Sequence, residues 1–258
     1  MEATKNTPAI ILGREPYRES DCLVSVYTLL DGKQVLVARG AKKLHSKLAG
    51  HIEPLTLADI MIVKGRGRDY LGSAIGRIFY SGIKSDLNKL YYAGQALSLF
   101  SRLVKEGETD ENLFLLLSEW LEFLDRFDSN LKAASQALPF SQEAGDLFLV
   151  FFFLKLLTAL GYKPEMVSCL SCGHGIKPDN NYFNLQNGGV VCSSCSEAAR
   201  HRPGFNINLE LLPISDNCVK LMRFILSNQL AAAEKLKVNE KLVKELLVLI
   251  NNFIKFQF

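Results

Sequence analysis

Four cysteines, Cys169, Cys172, Cys192 and Cys195, stand in the chain as C-x2-C-x19-C-x2-C, and no other feature limits its folding as tightly. Each C-x2-C turn aims two thiolates at one point, and four thiolates about 2.3 Å from a shared centre satisfy tetrahedral Zn²⁺. The two pairs must therefore meet in space. Gly173, directly after the first pair, can take the left-handed conformation that turns backbone N–H groups toward sulfur. Tyr182 to Leu185, the turn Asn187-Gly188-Gly189 and the run Val190-Val191 read as a hairpin that returns the second pair to the first. The expectation is a structural zinc in a module spanning 165–200, a segment too short to build a core of its own.

Other uses of the cysteines fit less well. A thioredoxin-like redox pair needs one C-x2-C beside a βαβ unit, whereas here two pairs flank a short hairpin. Catalytic zinc needs an open coordination position, which four thiolates do not leave, and the H-x-E partner found in zinc deaminases is missing. His174 and His201 read as solvated surface residues, and Cys22 and Cys218 as buried or half-buried thiols. The amino-terminal MEATKNTPAIILGREP lacks the layout of a secretory signal. The longest apolar run, Leu147 to Leu157, is interrupted by Lys155 and falls short of the about 20 residues that span a bilayer. A cytoplasmic protein without a membrane segment is expected, and there the six Cys are ligands or thiols before they are disulfides.

Two periodicities divide the chain. Ala9 to Arg14, Asp21 to Leu30 and Lys33 to Arg39 are β-rich, the last two joined by the tight turn Asp31-Gly32; Leu55 to Val63 and Tyr70 to Tyr80 follow, across a short helical stretch within 44–51. Three strands, a helical connection and two strands is the order of a five-stranded OB-fold barrel. From Ser85 the apolar residues recur at three and four. Leu87, Leu90, Tyr91, Gly94, Leu97 and Val104 mark a first helix capped by Ser85-Asp86; Thr109 opens a second through Phe114, Leu117 and Trp120; Leu147 to Leu160 is buried all round and ended by Gly161. Ser215 and Asn239 cap two carboxy-terminal helices. The fold class is therefore α+β: an OB-fold barrel over 1–82, then a helical domain over 83–258 with the four-Cys module inserted.

With 30 Lys and Arg against 27 Asp and Glu, the net charge is only +3, so an anion-binding surface has to be local. Residues 31–68 supply one: Lys33, Arg39, Lys42, Lys43, Lys47, Lys64, Arg66 and Arg68 face three carboxylates, a net +5. In an OB barrel such loops can flank the face that carries a single strand, with Tyr17, Tyr70, Phe79 and Tyr80 as candidate stacking platforms. Gly65-Arg66-Gly67 matches neither glycine-rich nucleotide fingerprint, and no G-x-S-x-G elbow or H-E-x-x-H pair is present, so the expectation is not an enzyme. A zinc-ribbon adaptor that binds a protein partner through its helices is the alternative.

Tyr17-Arg18-Glu19-Ser20-Asp21, Tyr27-Thr28, Gly32-Lys33, Arg39-Gly40-Ala41-Lys42-Lys43 with Ser46, and Leu160-Gly161-Tyr162 leading into Cys169-Leu170-Ser171-Cys172-Gly173 together resemble the RecO family of bacterial DNA repair proteins. The resemblance runs through most of the chain. It implies an amino-terminal OB fold, a helical carboxy-terminal domain, and a zinc module present in many members. It also implies binding of single- and double-stranded DNA, annealing of complementary strands, and loading of RecA together with RecR and RecF. The partner covering those strands is single-strand-binding protein, whose acidic carboxy-terminal tail the family recognises. By position, Arg39, Lys42, Lys43 and Lys47 would touch DNA backbone. Leu44-His45 interrupts a loop that is usually richer in Arg, and some relatives lack the cysteines, so metal is not implied for the shared activity.

Overall fold

A computed structural model describes residues 4–127, 140–200 and 210–258. Its contacts divide into two compact units, Met1–Phe140 and Ser141–Phe258. The change of period at 83 separates strands from helices, while the first unit also gathers the first three helices around the barrel.

Five strands close that barrel in the order β1-β2-β3-β5-β4: β1 (Thr4–Tyr17), β2 (Asp21–Thr28), β3 (Gly32–Ala38), β4 (Leu57–Val63) and β5 (Tyr70–Ile78). This is the expected OB topology. The first strand is longer than its apolar stretch. Thr4 to Ile10 pair with β4, Ala9 to Tyr17 pair with β2, and a bulge between Ile11 and Gly13 lets one strand bend between two neighbours. Alternation then fills the interior with Ile11, Val24, Val26, Leu36, Ile60, Ile62 and Leu71. Antiparallel pairing joins every neighbouring pair except β3 and β5, which meet in parallel at Val37 and Tyr70 alone, backed by Val37 N–H donating to the Asp69 carbonyl at 3.0 Å.

The helical connection is shorter than expected, a single 3-10 turn at Ala49–His51. β4 starts at Leu57 because Leu55 takes a left-handed φ of 59°. The β2–β3 turn docks on the segment before the second long helix. Gly32, at φ +66°, lies so close that a methyl group there would sit 2.1 Å from the Glu108 carbonyl oxygen.

A short helix α1 (Ser81–Lys84) precedes α2 (Leu87–Leu103) and α3 (Glu111–Arg126). Asp86 accepts the N–H groups of Asn88 and Lys89 and caps α2 as expected, whereas the cap of α3 is Asp110, one residue beyond Thr109. The buried face of α2 differs from the expected stripe. Tyr92, Ala93, Ala96, Phe100 and Leu103 face the core, and Leu97 with them, but Leu87 is 84% exposed and Tyr91 60% exposed. The adjoining stripe wins because Phe100 packs edge-on against Tyr27 of the barrel, ring centroids 4.9 Å apart. Lys33 is also tied to this helix. Its ammonium donates to the Ser101 carbonyl, and to that of Val104 at 3.1 Å, at the carboxy-terminal end where cations are favoured.

In the second unit, α4 (Gln142–Ala159) buries Leu147 to Leu154 on every side, and Gly161 follows at φ +88°. The hairpin β6 (Asn181–Asn184) and β7 (Gly189–Val191) forms with the expected turn. A third strand, β8 (Leu211–Ile214), completes a sheet of order β7-β6-β8. Pro213 lies on that outer strand, where the missing N–H removes no bond from a further neighbour. The helix α5 (Ser193–Arg200) follows the second Cys pair. α6 (Asp216–Ser227) and α7 (Glu240–Gln257) are capped by Ser215 and Asn239 through their side chains. No helix among the described residues is long and apolar enough to cross a membrane.

Candidate nucleic-acid interface and metal centre

The two basic loops end up together at one end of the barrel. Arg39 follows β3 and Tyr70 opens β5; because these strands meet at Val37 and Tyr70, the Arg39 guanidinium lies over the Tyr70 ring with Cζ 3.7 Å from its centroid. The loop 39–48 is fixed where it leaves the strand. Gly40 N–H donates to Asp21 Oδ1 at 2.8 Å, Lys42 N–H to the Ser20 carbonyl at 2.9 Å, and Lys43 N–H to the Gly40 carbonyl at 3.1 Å. Lys42, Lys43 and Lys47 all project from this loop as exposed side chains. Leu44 between them is 93% exposed.

The β4–β5 loop carries Lys64, Arg66 and Arg68, also exposed. It closes tightly because Gly65 carries no Cβ, which would meet the Arg68 carbonyl oxygen at 2.0 Å. Lys64 stands apart from the others. It pairs with Asp69 at 2.7 Å, and this hydrogen bond raises the ammonium above its ordinary range. Arg68 approaches the Tyr17 ring at 6.0 Å, and Arg18 approaches the same ring at 5.1 Å. Arg18 joins the expected cations: it sits in the turn between Tyr17 and Asp21 at the same barrel end, outside the basic stretch 31–68 that composition marks. Among the described residues, Arg18, Arg39, Lys42, Lys43, Lys47, Arg66 and Arg68 have no carboxylate within ion-pair distance.

The candidate stacking rings do not share one fate. Tyr80 is 1% exposed, a core residue held at a left-handed φ of 45°, so its ring is not available to a base, contrary to expectation. Tyr17 and Tyr70 are half-buried beneath guanidinium groups, and Phe79 is exposed with Lys84 at 6.0 Å. Lys33, counted among the cations, is engaged with α2.

The four cysteines converge in the second unit. Their sulfur atoms all lie within 4.8 Å of one another, with Cys172 and Cys192 3.9 Å apart. Four sulfurs about 2.3 Å from a tetrahedral centre are about 3.8 Å apart, so the cluster has the right size for such an ion. Gly173 takes φ +74° as expected, and its N–H donates to the Cys169 carbonyl at 2.9 Å. Cys192 N–H points at Cys169 Sγ at 3.4 Å, and Leu170 N–H reaches the Val190 carbonyl at 3.0 Å, locking the first pair to the hairpin. Val191, Leu211, Ile176 and Tyr182 pack around the cluster.

Burial raises the Cys169 thiol, but N–H groups of Cys192, Cys172 and Ser171 with the Cys172 thiol outweigh it and bring the group down to about 6. Its hydrogen bond with Cys192, with burial added, pushes Cys195 up to about 12, and burial raises Cys192. One thiolate is thus favoured and discourages its neighbours. A dication at the centre would offset the mutual repulsion of four thiolates, bringing their −4 to a net −2, so the donor set fits a metal ion. His174 is exposed and supplies only its carbonyl, to Cys169 N–H at 2.8 Å; His201 lies outside the described residues. Cys22 and Cys218 are buried thiols, and all six cysteines are free.

Residues 1–75 match the family profile "Recombination protein O N terminal", and residues 84–258 match "Recombination protein O C terminal". A DNA repair protein RecO from Roseiflexus sp. is 33% identical, over 90% of this chain and 74% of that protein. One from Geobacter metallireducens is 31% identical, over 87% of this chain and 83% of its own length. One from Desulforamulus reducens is 29% identical over 96% of this chain and 87% of the relative. The junction between the two profiles falls where the barrel gives way to α1, and with both halves matched the chain belongs to the RecO family of DNA repair and recombination proteins.

Proposed function

We propose that this chain is a recombination mediator that binds single- and double-stranded DNA at the open end of its barrel, within 1–82, and anneals complementary strands. The observation that carries this reading is the concentration there of exposed cations with no carboxylate partner among the described residues: Arg39, Lys42, Lys43, Lys47, Arg66 and Arg68, with Lys64 a weaker contributor because Asp69 holds it. A basic surface lowers the repulsion between two polyanions and holds them close enough for pairing to nucleate, while the bases themselves read sequence. The protein supplies proximity, so no bond-breaking residue is needed and none is assigned. RecR, and the acidic tail of single-strand-binding protein, are the partners proposed from the family, with RecA loading as the outcome and the cytoplasm as the site of action. The four cysteines would hold a structural zinc, which confers no open position for chemistry.

Annealing of two complementary oligonucleotides without nucleotide, followed across a salt series, tests the reading. Annealing that falls with salt, and is lost when Arg39, Lys42 and Lys43 are reversed to Glu, is the expected result. Absence of binding and annealing at low salt would overturn it and favour the adaptor, for which the exposed Leu87 and Tyr91 on α2 offer a protein-binding stripe.

A further inference from the structure

Arg39 presents a plane as well as a charge. A Cζ 3.7 Å from the Tyr70 centroid is too near for an approach at the ring edge, so the guanidinium lies over the ring face. Tyr70 is itself fixed. It is the first residue of β5, paired with Val63 and Val37, and the backbone of Gly65 passes so close that a methyl there would lie 2.7 Å from Tyr70 Cε2. The ring is half-buried with Arg39 over it, whereas Arg39 is exposed and, among the described residues, has no carboxylate partner. The planar group offered to solvent at this barrel end is thus a guanidinium backed by an aromatic ring.

We propose that Arg39, seated on Tyr70, is a stacking platform for one unpaired base of a single strand, and so the residue by which the barrel distinguishes single strands from duplex. The inference rests on the DNA-binding reading above. Unstacked bases pile onto guanidinium planes as they do onto aromatic rings. In a duplex those faces are occupied by neighbouring base pairs, so only phosphate attraction remains. Lys42, Lys43 and Lys47 are point charges on flexible stems and serve both forms alike. The neighbouring ring offers no equivalent, because Arg18 and Arg68 stand 5.1 and 6.0 Å from the Tyr17 centroid.

The test compares the full chain with Arg39→Lys, which keeps the charge and removes the plane, on a single strand carrying a fluorescent adenine analogue and on a long duplex. The expected result is a loss of about tenfold in single-strand affinity, clearly larger than any loss on the duplex, with the stacking-dependent quenching of the analogue abolished. Tyr70→Leu should move the same readouts in the same direction, and Tyr70→Phe should leave them as in the parent. Equal losses on both DNA forms, or no loss on either, would overturn the platform while leaving DNA binding intact. Failure of the parent protein to bind either form at low salt would instead remove the reading on which the platform rests.

Discussion

The Lys64 ammonium donates to Asp69 Oδ2 at 2.7 Å, and the other oxygen of that carboxylate accepts the Gly65 N–H at 3.1 Å. A cation in a run of cations is therefore spent on closing its own loop. Lys64→Met should change DNA affinity at neutral pH by no more than about twofold, since an exposed pair of this kind contributes little. A tenfold loss would place Lys64 on the DNA.

The same pair gives a pH dependence. The hydrogen bond from Lys64 is the main cause holding the Asp69 carboxyl below the ordinary range, against an opposing push from burial and with help from Gly65 N–H. A lowered native value means that the stabilisation is present above the unfolded carboxylate range and is lost as pH falls through the native value. Protonated Asp69 frees Lys64. The salt slope for an oligothymidylate should therefore steepen by about one cation's share, roughly 0.7, at a pH below that value. Because other carboxylates protonate over the same range, the check is the difference: the slope should change less with pH in Lys64→Met than in the parent.

Reversal of Arg39, Lys42 and Lys43 to Glu should weaken binding whatever the base sequence. Six phosphate contacts give a single-strand salt slope of about −4, and loss of three brings it to about −2. Affinity measured from low to moderate salt reads both numbers. An unchanged slope in a folded variant would move the interface elsewhere.

Lys33 should behave differently from its basic neighbours. Its ammonium donates to the Ser101 and Val104 carbonyls, and its own carbonyl accepts Gly107 N–H at 2.9 Å. Lys33→Met leaves the end of α2 short of a donor and should cost about 1–2 kcal/mol by urea unfolding, with the DNA salt slope unaltered. The reverse pattern would return Lys33 to the binding surface.

Cys169→Ser with Cys172→Ser should abolish stoichiometric zinc and lower the unfolding temperature of the unit Ser141–Phe258, while the barrel transition keeps its position. Calorimetry beside metal analysis measures both. Full thermal stability in metal-free protein would refute a structural role, because a segment with so small a core depends on its ion.

Gly32→Ala tests the docking of the barrel on the segment before α3. The new methyl would lie 2.1 Å from the Glu108 carbonyl oxygen at a backbone φ of +66°. Overpacking and left-handed strain together should cost about 3 kcal/mol. A loss of less than about 1 kcal/mol by urea unfolding would show that the turn relaxes freely.

The barrel was readable because Asp31-Gly32 fixes a hairpin and the strands alternate, so register follows from burial. The cysteine spacing carried the second centre equally well. What period could not decide was which of two overlapping stripes on α2 faces inward. Leu87, Leu90 and Tyr91 are as apolar as Tyr92, Ala96 and Phe100, and tertiary partners, Tyr27 against Phe100 and Phe140 against Tyr92, select between them. The strand β8 was hidden by its four residues and Pro213, and Thr4 to Pro8 by a polar pattern that reads as coil until β4 pairs with it. Charge showed in the composition, but taking Lys33, at the start of β3, and Lys64, in the β4–β5 loop, from the free cations needed partners distant in sequence or across a turn.

The lone parallel bridge between Val37 and Tyr70 makes the β3–β5 seam the thinnest join of the barrel, and the Arg39–Tyr70 stack lies across it. Local opening at that seam would separate Arg39 from its ring, so a base resting on the guanidinium binds only the closed form. By linkage, single-stranded DNA bound at the proposed platform should then slow amide exchange at Val37, whose N–H spans the gap to Asp69. Barrel breathing and strand release would become one equilibrium, written in the protection of a single backbone proton.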